Sequence, residues 1–328
     1  MNSTKKTKMG TLIAAAVALI AMLVLPFMGI NNYIITLFCQ AMLYSIIVYG
    51  LNFITGLTGQ MNMGNAAVYG IGAYIYALLT TRAEMAPWFA MIFVALAGWF
   101  VGVILGYPSL RVKGVYLSLT TIAFNEIVRL VIQNMRFTNG VNGIRNIPSL
   151  GIFGFTFNTP MRTYYFFLAA LVIFTLISIR FLKSKYGRVL VAIRDNIDAV
   201  ESCGINLADI KVKAFVLSTV FGAIAGGMYA SFMRYVAPNT FSTNLSISFV
   251  VMLILGGRGS VVGCLLGAFI ITFAPEALRF LGDYYQFVYA VIVILAIIFN
   301  PNGLVSLGGR ILAKIKRISV PAKRGANG

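Results

Sequence analysis

A chain of 328 residues that is 59% hydrophobic and 10% charged cannot be a soluble globular domain, because no soluble core hides that much apolar surface. Its formal charge of +18 does not mark a nucleic-acid binder either, since the cations fall in the gaps between apolar runs and form no basic face with interleaved aromatics. With no histidine, imidazole catalysis and histidine metal ligation are excluded, and no glycine is followed by lysine, so no phosphate-binding Walker loop exists.

About 20 apolar residues at 1.5 Å rise cross a bilayer, and in lipid the backbone must satisfy itself as helix or closed barrel. The runs here are too long for barrel strands, so an all-α, polytopic transmembrane bundle is expected. In chain order the spans fall near 11–30, 33–53, 61–80, 87–107, 115–133, 162–182, 211–234, 244–257, 260–281 and 284–300, about ten in all. The first follows Lys5, Lys6 and Lys8, but no small-x-small cleavage pattern comes after Pro26, so it is expected as a retained helix. The run 244–257 is short and fits either a full span or a re-entrant segment.

The charges set the orientation. If the N-terminus is cytoplasmic, the cytoplasmic segments hold Lys5 to Lys8, Arg111 and Lys113, Lys183 to Lys213, Arg258, and the basic tail 301–328. Most Lys and Arg then lie inside, as the positive-inside rule requires, and both termini are cytoplasmic. Two connections exceed what joining helices needs. The extracytoplasmic one, 134–162, carries Asn139-Gly140 and Asn142-Gly143 turn signals and reads as an ordered, irregular surface suited to a partner. The cytoplasmic one, 183–210, sets apolar Val189, Leu190, Ile193, Ile197 and Val200 against Arg188, Arg194, Asp195, Asp198 and Glu201, the spacing of one amphipathic helix over Gly187 to Ile205.

Glycines at four-residue spacing, Gly98/Gly102/Gly106, Gly222/Gly226 and Gly259/Gly263/Gly267, predict small helix faces for close packing, or a solute path. The segments Gly56 to Gly72 and Gly256 to Gly267 hint at an internal repeat. Cys39, Cys203 and Cys264 have no disulfide or metal spacing and read as packing residues. Neither a metal nor a cofactor is expected.

Within the spans, Glu126 and Arg129 lie three apart on one helical face beside Asn125. Intramembrane charges cost several kcal/mol unless paired, so the two either neutralise each other or face a polar cavity. Gln60, Asn62 and Asn65 either line a path or bridge helices. The inner amphipathic helix carries acidic residues, which argues against attraction to anionic lipid and for docking on another protein.

Three stretches then become specific: Gly56-Leu57-Thr58-Gly59-Gln60, Gly64-Asn65-Ala66-Ala67 and Gly70-Ile71-Gly72-Ala73-Tyr74. With Leu110-Arg111-Val112-Lys113-Gly114, Ala123-Phe124-Asn125-Glu126, Asn142-Gly143-Ile144, Ala192-Ile193-Arg194-Asp195-Asn196 and Gly256-Gly257-Arg258-Gly259-Ser260, the sequence resembles the branched-chain amino-acid ABC permeases over most of 40–300. The Leu-Arg-x-Lys-Gly and Asn-Gly-Ile stretches make it similar to the longer permease of the pair.

The resemblance implies import, with a second permease, two cytoplasmic ATP-binding subunits and an extracytoplasmic solute-binding protein as partners. It implies a coupling segment carrying Arg188, Ala192, Arg194, Asp195, Asn196, Glu201 and Gly204. The solute would be leucine, isoleucine or valine, while relatives also serve urea and short amides. One departure stands out: the family commonly has histidine where this chain has Asn65, which leaves a hydrogen-bonding role there and removes an ionisable one. A gradient-driven transporter would need carboxylates at mid-membrane, where only Glu126 and Glu276 qualify. An intramembrane enzyme lacks the usual base for a nucleophile.

Overall fold

The computed structural model describes residues 22–28, 31–112, 114–152, 155–157, 159–300 and 303–304. Most of the expected first span, Lys113 and nearly all of the tail 301–328 therefore lie outside the described residues. What is described is almost wholly helical. Helix α1 (Asn32–Leu51) starts where Asn31 Oδ1 accepts a hydrogen bond from Tyr33 N at 3.3 Å, and it widens into a π turn over Asn52–Gly56. After an irregular stretch come α2 (Asn65–Thr81), α3 (Pro87–Arg111), α4 (Val115–Asn134) and α5 (Pro160–Lys183). Then follow two short helices, α6 (Lys185–Asp195) and α7 (Ile197–Ser202), and α8 (Leu207–Met233), α9 (Thr243–Gly256), α10 (Val261–Ala277) and α11 (Tyr285–Phe299). Among the described residues, strands occur only as two-residue ladders: β1 (Ile144–Arg145) pairs antiparallel with β4 (Tyr235–Val236), and β2 (Gly151–Ile152) with β3 (Phe155–Thr156).

Among the described residues, five helices are long and apolar enough to cross a membrane, spanning Asn32–Gly56, Pro87–Leu110, Val115–Asn134, Pro160–Lys183 and Leu207–Met233. Shorter apolar helices cover Thr243–Gly256, Val261–Ala277 and Phe287–Ala296. At 17 and 14 residues, α2 and α9 reach only about 25 and 21 Å, short of a hydrocarbon core of about 30 Å. The expected third span accordingly starts at Asn65 and not at 61, which leaves Gln60 and Asn62 in an irregular break between α1 and α2.

Helix α8 is the axis of the packing, and its neighbours approach through positions without side chains. A Cβ on Gly72 would run into the Ala223 carbonyl, and one on Gly226 into the Tyr69 carbonyl. On α3, Gly98 and Gly102 face Val216, Thr219 and Ala223 of α8 in the same way. The glycine rows are thus packing faces, which let backbones meet where lipid supplies no hydrophobic drive. Gly259 is the exception, because it precedes α10 with a φ of +78° and lies off the face formed by Gly263 and Gly267. Large rings fill what remains: Tyr49, Tyr69, Tyr76, Phe53 and Phe249 are all buried. Outward on α3 stand Trp88, Phe93, Trp99 and Phe100, all exposed, as a lipid-facing surface requires.

Candidate functional site: two broken helices, a polar ladder and a helix pair

The break after α1 is held from two sides. Asn52, fully buried, accepts a hydrogen bond at its Oδ1 from Gly259 N at 2.8 Å. That bond ties the break between α1 and α2 to the break between α9 and α10, where Gly257 and Gly259 take φ values of +119° and +78°. The two glycine-punctuated segments noted in the sequence therefore meet in space. A second support comes from the α5–α8 connection. Leu190, Ile193 and Val200 bury their side chains with Leu57, Ile210 and Ala214 in an apolar cluster separate from the main core. Leu57 is the helical residue that follows the π turn, at the edge of the break.

Residues Gly187 to Ile205 form two helices where the periodicity predicts one. The interruption is Asn196, whose backbone is extended (φ −157°, ψ 108°) and whose Oδ1 accepts from Ala199 N at 3.1 Å, capping α7. Asparagine offers the backbone a partner that competes with the helical ladder, so it starts a new helix more readily than it continues one. Ser184 caps α6 likewise, accepting from Gly187 N at 3.2 Å, and Gly204, with φ +72°, ends the segment.

The predicted coupling residues divide between the two faces of this pair. Arg188, Ala192, Asp195, Asn196, Glu201 and Gly204 are exposed. Arg194 reaches back to the break: its Nη1 donates to the Gly56 carbonyl at 3.4 Å, and its Cγ lies 3.2 Å from where a Cβ on Gly59 would stand. The ion pair of Arg194 with Asp195, at 3.4 Å, is exposed on both sides and holds little by itself.

Above the break runs a ladder of polar side chains. Asn62 N donates to Thr55 Oγ1 at 3.2 Å, and Asn62 Oδ1 accepts from Gly64 N at 2.9 Å. Met63 N donates to Thr121 Oγ1 at 3.0 Å, and Ser118 Oγ to the Met61 carbonyl at 3.3 Å, which fastens the start of α2 to α4. Ala66 N donates to Ser246 Oγ at 2.9 Å, and that hydroxyl donates to Asn125 Oδ1 at 3.4 Å. Asn125 Nδ2 in turn donates to Thr243 Oγ1 at 3.3 Å.

The ladder ends at Glu126 and Arg129, which form an ion pair. Glu126 also accepts from Thr243, and Arg129 donates to Gln133 and Asn239 at 3.3 and 3.2 Å. Their side chains are 40% and 21% exposed, so the pair faces outward and is not sealed in the core. Asn65 differs from its neighbours. It is 2% exposed, yet its Nδ2 has no hydrogen-bond partner among the described residues, and Gln60 Oε1 is unpartnered too.

Of the predicted path residues, Asn62, Glu126 and Arg129 thus join the ladder that links the break to α4 and α9, Asn65 and Gln60 make no side-chain bond to it, and the coupling residues sit apart on the helix pair, with Arg194 as the contact. Sequence reasoning missed Asn52, Thr55, Thr121, Thr243 and Ser246. Single hydroxyls and amides in apolar runs look like ordinary helix residues, and only the fold shows which backbone donors they serve. Among the described residues, no three of the Cys, Asp and Glu side chains gather as a metal site would require.

Long apolar helices, two helix breaks joined through Asn52 and Gly259, a polar ladder beside them and a mixed-charge helix pair at one end fit a multi-pass subunit of the membrane. The chain belongs to the family described as branched-chain amino acid transport system / permease component, whose model matches residues 33–299. It is 30% identical over 326 residues to the high-affinity branched-chain amino acid transport system permease protein LivM of Escherichia coli (strain K12). That alignment covers 91% of this chain and 76% of the relative. A probable LivM permease of Methanocaldococcus jannaschii is 26% identical, over 78% of this chain and 76% of its own length. The ribose import permease protein RbsC of Haemophilus influenzae is 25% identical, over 87% and 90%. No solved structure matches the chain.

Proposed function

We propose that the chain is one permease of an ATP-driven importer that takes leucine, isoleucine and valine from an extracytoplasmic binding protein and passes them into the cytoplasm. The end bearing α6 and α7 then faces the cytoplasm, where Lys183, Lys185, Arg188, Arg194, Lys211 and Lys213 satisfy the positive-inside rule. The complex also holds a second permease and two ATP-binding subunits. The chain itself carries no phosphate loop, so hydrolysis occurs on those subunits.

The observation that carries this reading is the contact of the helix pair with the break: Leu57 within the Leu190, Ile193 and Val200 cluster, and Arg194 on the Gly56 carbonyl. A rigid-body shift of α6, imposed by an ATPase on the exposed face of Arg188, Ala192, Asp195 and Glu201, moves Leu57 with it. Packed interfaces shift between discrete arrangements and do not deform smoothly, so the movement reaches the start of α2 and the second break through Asn52. The polar ladder of Asn62, Asn65, Asn125, Glu126 and Arg129 is the surface whose exposure alternates, with Gln60 at its inner edge. A branched-chain solute is favoured over ribose because, among the relatives matched over three quarters or more of both chains, the branched-chain permeases are 30% and 26% identical and the ribose permease 25%.

The test is leucine-stimulated ATP hydrolysis and uptake by the reconstituted complex, wild type against Arg194→Glu with Asp195→Lys. The variant is expected to assemble and to lose stimulated hydrolysis and uptake together. Uptake that survives ATP depletion and collapses with an uncoupler would move the protein to the gradient-driven transporters.

A further inference from the structure

At the end of the bundle opposite α6 and α7 the chain carries cations of a different kind. Segments 82–86, 134–162, 234–243 and 276–285 contain six arginines, Arg82, Arg136, Arg145, Arg162, Arg234 and Arg279, but no lysine, and three acidic residues. The 183–213 segment, by contrast, has four lysines, two arginines and four acids. A cation needed only for solubility can be either type. Arginine alone offers a planar fork matched to a carboxylate.

Two of these arginines line one pocket of about 740 Å³ with Thr81, Asn139, Asn142 and Gly143. Both are built into place. Arg82 Nη2 donates to Asn139 Oδ1 at 3.2 Å, where Asn139 holds the left-handed turn after the α4 exit. Arg145 sits in β1 opposite Tyr235 of β4, its guanidinium 5.6 Å from the Tyr235 ring centre. Gly143 lets this ladder close, since a Cβ there would strike the Val236 carbonyl. Among the described residues neither arginine has an ion pair, although Glu84 is only two positions from Arg82.

We propose that this pocket is the seat for an acidic side chain of the solute-binding protein, so that Arg82 and Arg145 fix where that protein docks. The inference rests on the proposed function and names the surface that reading requires. A glutamate or aspartate fits and free leucine does not. The only apolar residue lining the pocket is Ile144, itself 4% exposed, so nothing there would receive an aliphatic side chain. Two fixed forks facing outward suit a carboxylate presented on a large surface, where complementary charge sets both encounter rate and register.

The probe is the leucine-loaded binding protein of the same system, titrated onto the assembled transporter in nanodiscs. Arg82→Ala and Arg145→Ala are each expected to raise its Kd roughly 10-fold and to flatten the salt dependence of binding. ATP hydrolysis without binding protein should stay unchanged, and uptake should recover at saturating binding protein. Arg145→Lys, which keeps the charge without the fork, should fall between. Reversal by Arg145→Glu should be rescued by an acidic-to-arginine exchange on the binding protein.

Unchanged Kd in both alanine variants overturns the proposal. So does loss of binding of free leucine to the transporter in those variants, since that makes the pocket a solute subsite. Wild type that captures the binding protein but imports no leucine sinks the function reading alone and leaves the Kd series to score the pocket. Wild type that captures none overturns the pocket as well.

Discussion

The two ends of this bundle are made of different materials. The α6–α7 end is a pair of capped helices whose apolar residues lock onto Leu57 while charges of both signs point away. The opposite end is turns and two-residue ladders, with arginines in place of lysines. The helix pair is held by buried side chains beneath a mixed surface, which suits the body-like movement proposed for it. The ladder end is held by backbone pairing and by a glycine that admits it, which suits the fixed seat proposed for its two guanidinium groups. Each end is rigid where its groups are buried or hydrogen-bonded.

The strongest way to break this contrast is to put a charge under the helix pair. Ile193→Asp removes a side chain that is 5% exposed and buries a carboxylate against Leu57, at a cost of about 3–5 kcal/mol. Thermal unfolding in detergent should shift down, and solute-stimulated ATP hydrolysis should vanish in whatever protein assembles. At the other end, Gly143→Val forces a branched residue to a φ of +68° and a Cβ into the Val236 carbonyl, about 2–3 kcal/mol. That change should weaken capture of the binding protein while basal hydrolysis persists, so equal loss of both would blur the distinction between the ends.

The smallest effect sharpens it. Lys213 and Asp209 form an ion pair at 2.6 Å on the exposed side of the helix-pair end, and Lys213→Ala should leave both unfolding temperature and uptake unchanged. A measurable loss there would mean that the surface charges, and not the buried seam, carry the coupling.

Much of this was legible before any coordinates. The nine apolar runs that fall within the described residues all appear as helices within a few residues of where hydropathy places them, though only five are long and apolar enough to cross a membrane. The glycine rows were read as packing faces and are packing faces on α3 and α8. The Glu126–Arg129 pair formed as its spacing required. The amphipathic stretch is helical as its spacing predicts but is divided into two helices, since periodicity does not report the cap that Asn196 makes.

What the sequence by itself determined is the solvent, the helical class, the family, and the segment whose two-faced pattern makes amphipathic helix. Those are local or compositional properties, set by neighbours three or four residues away and by the cost of an unpaired backbone in hydrocarbon. Only the tertiary structure decided that Asn52 meets Gly259 across 207 positions, that Arg194 touches Gly56 across 138, and that Arg82 and Arg145 share a pocket. Such pairings depend on which helix crosses which, and no local pattern records a partner supplied from the far end of the chain.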